Sequence, residues 1–189
     1  MTIMLHQHHP LVGREIAVNT AVPLVIRPAA DTARFSLRID PAGLAKASEV
    51  FGLQLPAKIG DLSRSAEKRA VCLGPDEWYL TAPLTEQAAV EGAFAELYAK
   101  VIHSLVDVGH REVGIEIEGS DSVLALQSAV PFDVGSMPVG SGCRTIFDRA
   151  QIILLRETQH RFHIEVWRSF ADHVWGILQA AGREIELGI

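Results

Sequence analysis

The sequence predicts an α+β protein in which one secondary-structure order, βαββαβ, runs twice through a single domain. Three observations carry that prediction. Apolar residues alternate with polar ones at two places roughly eighty residues apart, helical apolar spacing follows each alternation, and a hairpin pattern follows each helix. The domain is expected over residues 23–189, with halves of about 23–109 and 110–189 after an N-terminal tail of 1–22.

In the first half, Phe35, Leu37 and Ile39 alternate with Arg34, Ser36 and Arg38, the period of a half-buried strand. A helix follows: Asp40 can cap it, Pro41 suits its first turn, Leu44, Ala47, Ser48 and Phe51 share a face, and Gly52 can end it. Gln54 to Lys68 is polar and holds Pro56 and Gly60, which makes it a loop. Arg69 to Leu73 and Glu77 to Thr81 read as two strands reversed through Gly74-Pro75-Asp76, whose Gly and Pro supply the angles a tight turn needs. Thr85 then caps a helix carrying Val90, Ala93, Phe94 and Leu97 at helical spacing, and Ser104 to Val108 closes the unit.

The second half repeats the order. Val113, Ile115 and Ile117 alternate with Glu112, Glu116 and Glu118, so one face of this strand is apolar and the other acidic. Ser120 caps a helix from Asp121 to Ala129, stopped by Pro131. The glycines of 135–142 form a connection into one long strand, Thr145 to Arg156, whose hairpin partner carries Phe162, Ile164 and Val166. Ser169 and Asp172 stand at capping-box spacing before a last helix with Phe170, Val174, Ile177, Leu178 and Ala181 on its apolar side; Gly182 ends it and Arg183 to Ile189 is the final strand. Each half alone is a small ferredoxin-like unit of marginal core, and packing the two together is the economical solution.

Composition narrows the function. The 189 residues are 48% hydrophobic and 21% charged with a net charge of −6, which fits an ordinary globular chain and opposes nucleic acid as a partner. No stretch approaches the roughly 18 uninterrupted apolar residues of a membrane span, and Met1 to Pro10 lacks the regions of a secretory signal, so a soluble, cytoplasmic protein without membrane attachment is expected. Cys72 and Cys143 sit in apolar or Gly-rich surroundings, the setting of free thiols in a reducing compartment. His6, His8 and His9 have no Cys or carboxylate at ligand spacing and read as a tail, not a metal site.

Candidate sites are few. The glycine-rich connection from Gly135 to Gly142 has no GK[ST] and precedes a strand, which favours a flexible loop over a phosphate cradle. Asp107, His110 and Arg111, with Glu112, cluster where the halves join. There they either serve proton transfer in a crevice between units or form a hydrogen-bonded corner that fixes the two. His163 and Glu165 share a strand face expected to be solvent-exposed, and His160 and His173 are expected on the surface. Trp167 falls on the face of His163 and Glu165, opposite Phe162, Ile164 and Val166, so an exposed ring is expected; Trp175 lies beside the apolar stripe and should border the same surface. Trp167, Arg168 and Trp175 are therefore the expected partner interface, since Trp and Arg are enriched in interface cores. No catalytic, cofactor-binding or metal residue is identified in this chain.

The stretches Leu73-Gly-Pro-Asp-Glu-Trp-Tyr-Leu80, Val106-Asp-Val-Gly-His-Arg111 and above all Arg168-Ser-Phe-Ala-Asp-His-Val-Trp-Gly-Ile-Leu178 resemble the gamma subunit of heterotetrameric sarcosine oxidase, over most of the chain from about Pro23 onward. The resemblance implies a fold similar to the folate-binding domain of aminomethyltransferases. It also implies a non-catalytic structural role beside alpha, beta and delta subunits, which would carry the FAD, FMN, NAD, zinc and tetrahydrofolate chemistry of sarcosine oxidation to glycine, with hydrogen peroxide and 5,10-methylenetetrahydrofolate as further products. The sequence departs from the family's usual Ser at Gly109, which puts a polar role for that corner in question. Three rivals share the element order or the fold. A folate-binding protein of the iron-sulfur repair type normally shows Lys-Gly-Cys-Tyr, where the nearest string here is Ser141-Gly-Cys-Arg144; an aminomethyltransferase needs greater length and an acidic residue against folate; a tandem amino-acid-binding regulatory module of the ACT type uses βαββαβ as well.

Overall fold

A computed structural model describes residues 9–18 and 23–189; His6 and His8 lie outside the described residues. Eleven strands and four α-helices are described. In chain order they are β1 (Ile16–Val18), β2 (Leu24–Pro28), β3 (Thr32–Ile39), α1 (Leu44–Phe51), β4 (Leu62–Arg64), β5 (Arg69–Gly74), β6 (Glu77–Pro83) and α2 (Gln87–Tyr98). There follow β7 (His103–Asp107), β8 (Glu112–Glu118), α3 (Ser122–Gln127), β9 (Ser141–Phe147), β10 (Ala150–Thr158), β11 (Arg161–Trp167) and α4 (Ala171–Leu187). The strands form two antiparallel sheets, of order β4-β5-β6-β3-β7 and β1-β2-β8-β11-β10-β9.

The alternation of β3 decides how the first sheet is covered. Ala33, Phe35, Leu37 and Ile39 point to one side, where Leu44, Ala47 and Phe51 of α1 and Val90, Phe94 and Leu97 of α2 complete a core. Asp40 accepts a hydrogen bond from Ala42 N–H to start the turn before α1, and Gly52 ends that helix at φ 74°. In the second sheet Val113, Ile115 and Ile117 with Phe162, Ile164 and Val166 meet Ala125 and Leu126 of α3 and Val174, Trp175 and Leu178 of α4. Helices thus cover the outer face of each sheet, and the inner faces meet across Val71, Tyr79, Val108, Ile153 and Leu155. Along one side the sheets are stitched edge to edge, with Leu62 N–H donating to Gly140 O and Gly142 N–H to Gly60 O.

The repeated halves are there, but the second is completed differently from the expectation. Gly182 does not end the last helix; α4 continues to Leu187, and Gly188 caps it at φ 69°, so no strand forms from Arg183 to Ile189. Gly182 instead lets α4 approach β1, because a Cβ there would lie 3.0 Å from Ile16 Cγ2. The place of the missing strand beside β8 is taken by β2, with Ile26 opposite Ile117, and β1 extends the sheet outward. Residues assigned to the tail therefore enter the core, Leu11 at 0% and Val18 at 2% exposure. The long strand expected from Thr145 to Arg156 is two strands, β9 and β10, reversed at Asp148, which adopts φ 53° without being glycine. Neither Ser169 nor Ser120 caps its helix: the N-cap positions are Phe170 and Asp121, and Asp172 pairs with Arg14 at 2.7 Å.

Candidate functional site

The layer between the sheets is where charge collects. Arg34 of β3 and Glu165 of β11 form an ion pair at 2.7 Å, with side chains 2% and 1% exposed. Arg34 Nη1 also donates to Thr32 O at 2.9 Å. The second oxygen of Glu165 lies 2.9 Å from His163 Nε2, and because a carboxylate only accepts, the imidazole donates. Burial alone would raise the Glu165 pKa; the Arg34 charge and the His163 hydrogen bond overcome it and hold the group at about 2. Tyr79, in the same layer, is pushed well above its ordinary value by burial and then by the nearby charges of Glu165 and Glu112. His163 and Glu165 are thus the opposite of exposed: the first sheet lies over the strand face expected to meet water. His160 is exposed, and His173 is half-buried, with Nε2 2.8 Å from Asp148 Oδ2.

Two further clusters join the halves. Arg144 of β9 makes a two-point pair with Glu77 of β6. Glu157 of β10, 4% exposed, receives Arg69 from β5 and Arg161 Nε at 3.2 Å. Arg144–Glu77 and Arg69–Glu157 cross from one sheet to the other, while Arg161 reaches Glu157 within its own sheet, so their chemistry is orientational. The two that cross fix the register between the sheets at the margin of the apolar inter-sheet cluster, with Glu157 buried and the arginines partly open to solvent. The available sequence signal was the sign of the alternating charges at one place in each half, Arg34 in the first against Glu165 in the second; opposite charges at strand spacing suit sheets that face each other.

The corner residues divide between two places. Asp107 accepts from Gly109 N–H at 2.7 Å and from Gln87 Nε2 at 3.0 Å, and lines a cleft of about 290 Å³ with His110, Asp31, Thr32, Arg34 and Leu84. Arg111 turns away from that cleft, donates to Glu112 Oε1 at 2.7 Å and stacks over the Trp167 ring with Cζ 5.4 Å from its centroid. A Cβ at Gly109 would lie 3.1 Å from Asp107 Oδ1, so a side chain fits there with a small shift of that carboxylate. Among the described residues, no group of three or more His, Cys, Asp or Glu is arranged to hold a metal ion.

Of the three residues expected at a partner surface, Trp167 is 40% exposed and Arg168 half-buried, with its N–H donating to Arg111 O at 2.8 Å. Trp175 is a correction. It is 4% exposed, because its ring packs into the core between α4 and the second sheet, in one buried cluster with Val174, Leu178 and Ile164. The surface around Trp167 is therefore built with Arg111, not with Trp175.

A model of the "Sarcosine oxidase, gamma subunit family" matches residues 36–184, from β3 through most of α4. The chain belongs to the sarcosine oxidase gamma subunit family. A comparison with curated proteins found no match. Among solved structures, a chain of the heterotetrameric sarcosine oxidase from Corynebacterium sp. U-96 is similar at TM-score 0.81 and 23% identity, over 90% of this chain and 89% of that one. The glycine cleavage system aminomethyltransferase T from Bartonella henselae is similar at TM-score 0.64 and 12% identity, over 81% of this chain and 44% of its own. The regulatory subunit of aspartate kinase from Thermus thermophilus follows at TM-score 0.50 and 12% identity, over 82% and 96%. The gamma-family member thus has an aminomethyltransferase-like fold, as its motifs implied.

Proposed function

We propose that this gamma-family chain works as a non-catalytic, cytoplasmic structural subunit of a sarcosine-oxidising heterotetramer, with the flavins, NAD, zinc and tetrahydrofolate held by its alpha, beta and delta partners. The observation that carries the reading is the exposed Trp167 ring stacked under Arg111, on a body whose interior charges are spent in holding its own two sheets together. An aromatic with an arginine on it is a characteristic interface anchor. The reaction of the complex, oxidative demethylation of sarcosine to glycine with oxygen, comes from the family resemblance; this chain would contribute to turnover through the stability and geometry of the assembly.

The test is purification of the tagged full-length chain from its host grown on sarcosine, with a flavin spectrum and mass spectrometry of the eluate. Recovery of two flavoproteins and a small zinc-binding chain, with sarcosine oxidase activity, is expected. A colourless chain recovered alone overturns the reading and directs attention to the 290 Å³ cleft at the corner, with amino acids and folate as the first ligands to titrate.

A further inference from the structure

Four strands stand at the outer positions of the two sheets, and three of them are covered or short. β4 and β9 close on each other through the Asp61–Ser141 bridge and the hydrogen bonds around Gly140 and Gly142. β1 has only three residues and lies against α4. β7 is different: it pairs with β3 alone, and no described segment lies along its other side. Val108 N–H donates to Arg34 O, and Val108 continues the β3–β7 register. Alternation of the antiparallel ladder then turns the N–H and C=O groups of His103, Leu105 and Asp107 away from β3. Soluble proteins blunt such an edge with Lys, Pro, a bulge or a cover, and His103–Asp107 has none of these.

Apolar groups flank this edge on both faces. Between α2 and β7 runs a groove of about 440 Å³ lined by Phe94, Ala95, Tyr98 and Leu105 together with His103 and Ser104, with Glu91 as its acidic wall. Tyr98 is 56% exposed and Ile102 80%. On the other face Val106, 52% exposed, stands opposite Ser36, which shares a small inter-sheet cavity with Trp167 and Arg111, so the edge is continuous with the surface proposed above for assembly.

We propose that β7 accepts an extended segment of another subunit of the oxidase as a sixth strand of its sheet. The segment would alternate apolar side chains, one set filling the α2 groove and the other covering Val106, and would place a Lys or Arg against Glu91. Charge complementarity with Glu91 and with a chain of net charge −6 selects that basic residue. The proposal rests on the subunit reading and adds where and how the contact is made.

Residue-resolved hydrogen exchange on the full-length chain, alone and in the assembled oxidase, tests it. The outward amides of His103, Leu105 and Asp107 are expected to exchange freely in the isolated chain and to slow by at least about tenfold in the complex, while Ser104 and Val106, bonded to β3, are protected in both. A variant carrying Ile102→Lys and Val106→Lys is expected to keep the unfolding midpoint of the wild type and to lose most of the co-purified flavoprotein; Glu91→Lys should lose part of it. An intact complex whose outward amides exchange as fast as in the free chain overturns the strand addition and leaves the subunit reading standing. Undiminished assembly of the double variant does the same. Concentration-dependent protection in the isolated chain would show a second copy as the occupant and also overturns it. If the wild type recovers no flavoprotein, both readings fall.

Discussion

Glu165 stays ionised where little water reaches because Arg34 approaches one oxygen and His163 the other. Its pKa of about 2 lies below the ordinary 4.5, so the unfolded chain takes up the proton first as the solution is acidified. The stabilisation from this group is therefore complete above about pH 4.5 and is lost as pH falls from there through about 2. Glu165→Gln should lower stability at neutral pH by about 3–5 kcal/mol, since it leaves Arg34 buried without its counter-charge. It should also flatten the pH dependence between 4.5 and 2, which urea unfolding at a series of pH values reads directly. A variant as stable as the wild type at pH 7 and equally acid-sensitive would show that the pair is not what holds these faces. Sequence alone could not place this residue inside. Alternating charges mean solvent when a sheet has one covered face, and only the presence of a second sheet of opposite sign reverses that meaning.

At the scale of elements, the strands with clean period-2 alternation, the Gly74-Pro75-Asp76 hairpin and the Asp40-to-Gly52 helix were legible because local sterics and capping decide them. What was hidden depended on distant partners. Gly182 has the local look of a terminator, yet its lack of a Cβ serves the approach of β1 to α4. Asp148 makes a tight reversal with no Gly or Pro to mark it. Leu11 and Val18 looked like tail because the strand they accompany lies beside one made far later in the chain. The candidate site followed the same division: the exposed face of Trp167 came from alternation, whereas the burial of Trp175 and the turning of Arg111 out of the corner cleft needed the packed sheet. Removing residues 1–22 should then cost about 3–6 kcal/mol, the worth of two buried aliphatic side chains at about 1.5–3 kcal/mol each. Urea unfolding of the truncation beside the wild type checks this; equal stability would mean that Leu11 and β1 add nothing to the second core.

Taken as one body, the molecule keeps two tryptophans for different tasks. Trp167→Ala should leave the unfolding free energy within about 1 kcal/mol of the wild type while lowering recovery of the assembled oxidase, whereas Trp175→Ala should cost about 3–5 kcal/mol as a core truncation. Size-exclusion chromatography of co-expressed subunits beside thermal unfolding separates the two, and the placement fails if both variants lose stability alike. The borrowed strand β2 also sets a timetable for synthesis. Val25 and Ile26 leave the ribosome early, but β8, which they pair with on one side, lies roughly ninety positions on, a wait of about 5–20 s at about 5–20 residues per second. During that interval the first half can fold, while β2 has only the three-residue β1 for a partner and its other edge waits for β8. The nascent chain is most open to aggregation and to chaperone capture before β8 has been translated, and that interval, more than any feature of the finished subunit, should govern its yield when it is produced without its host's folding machinery.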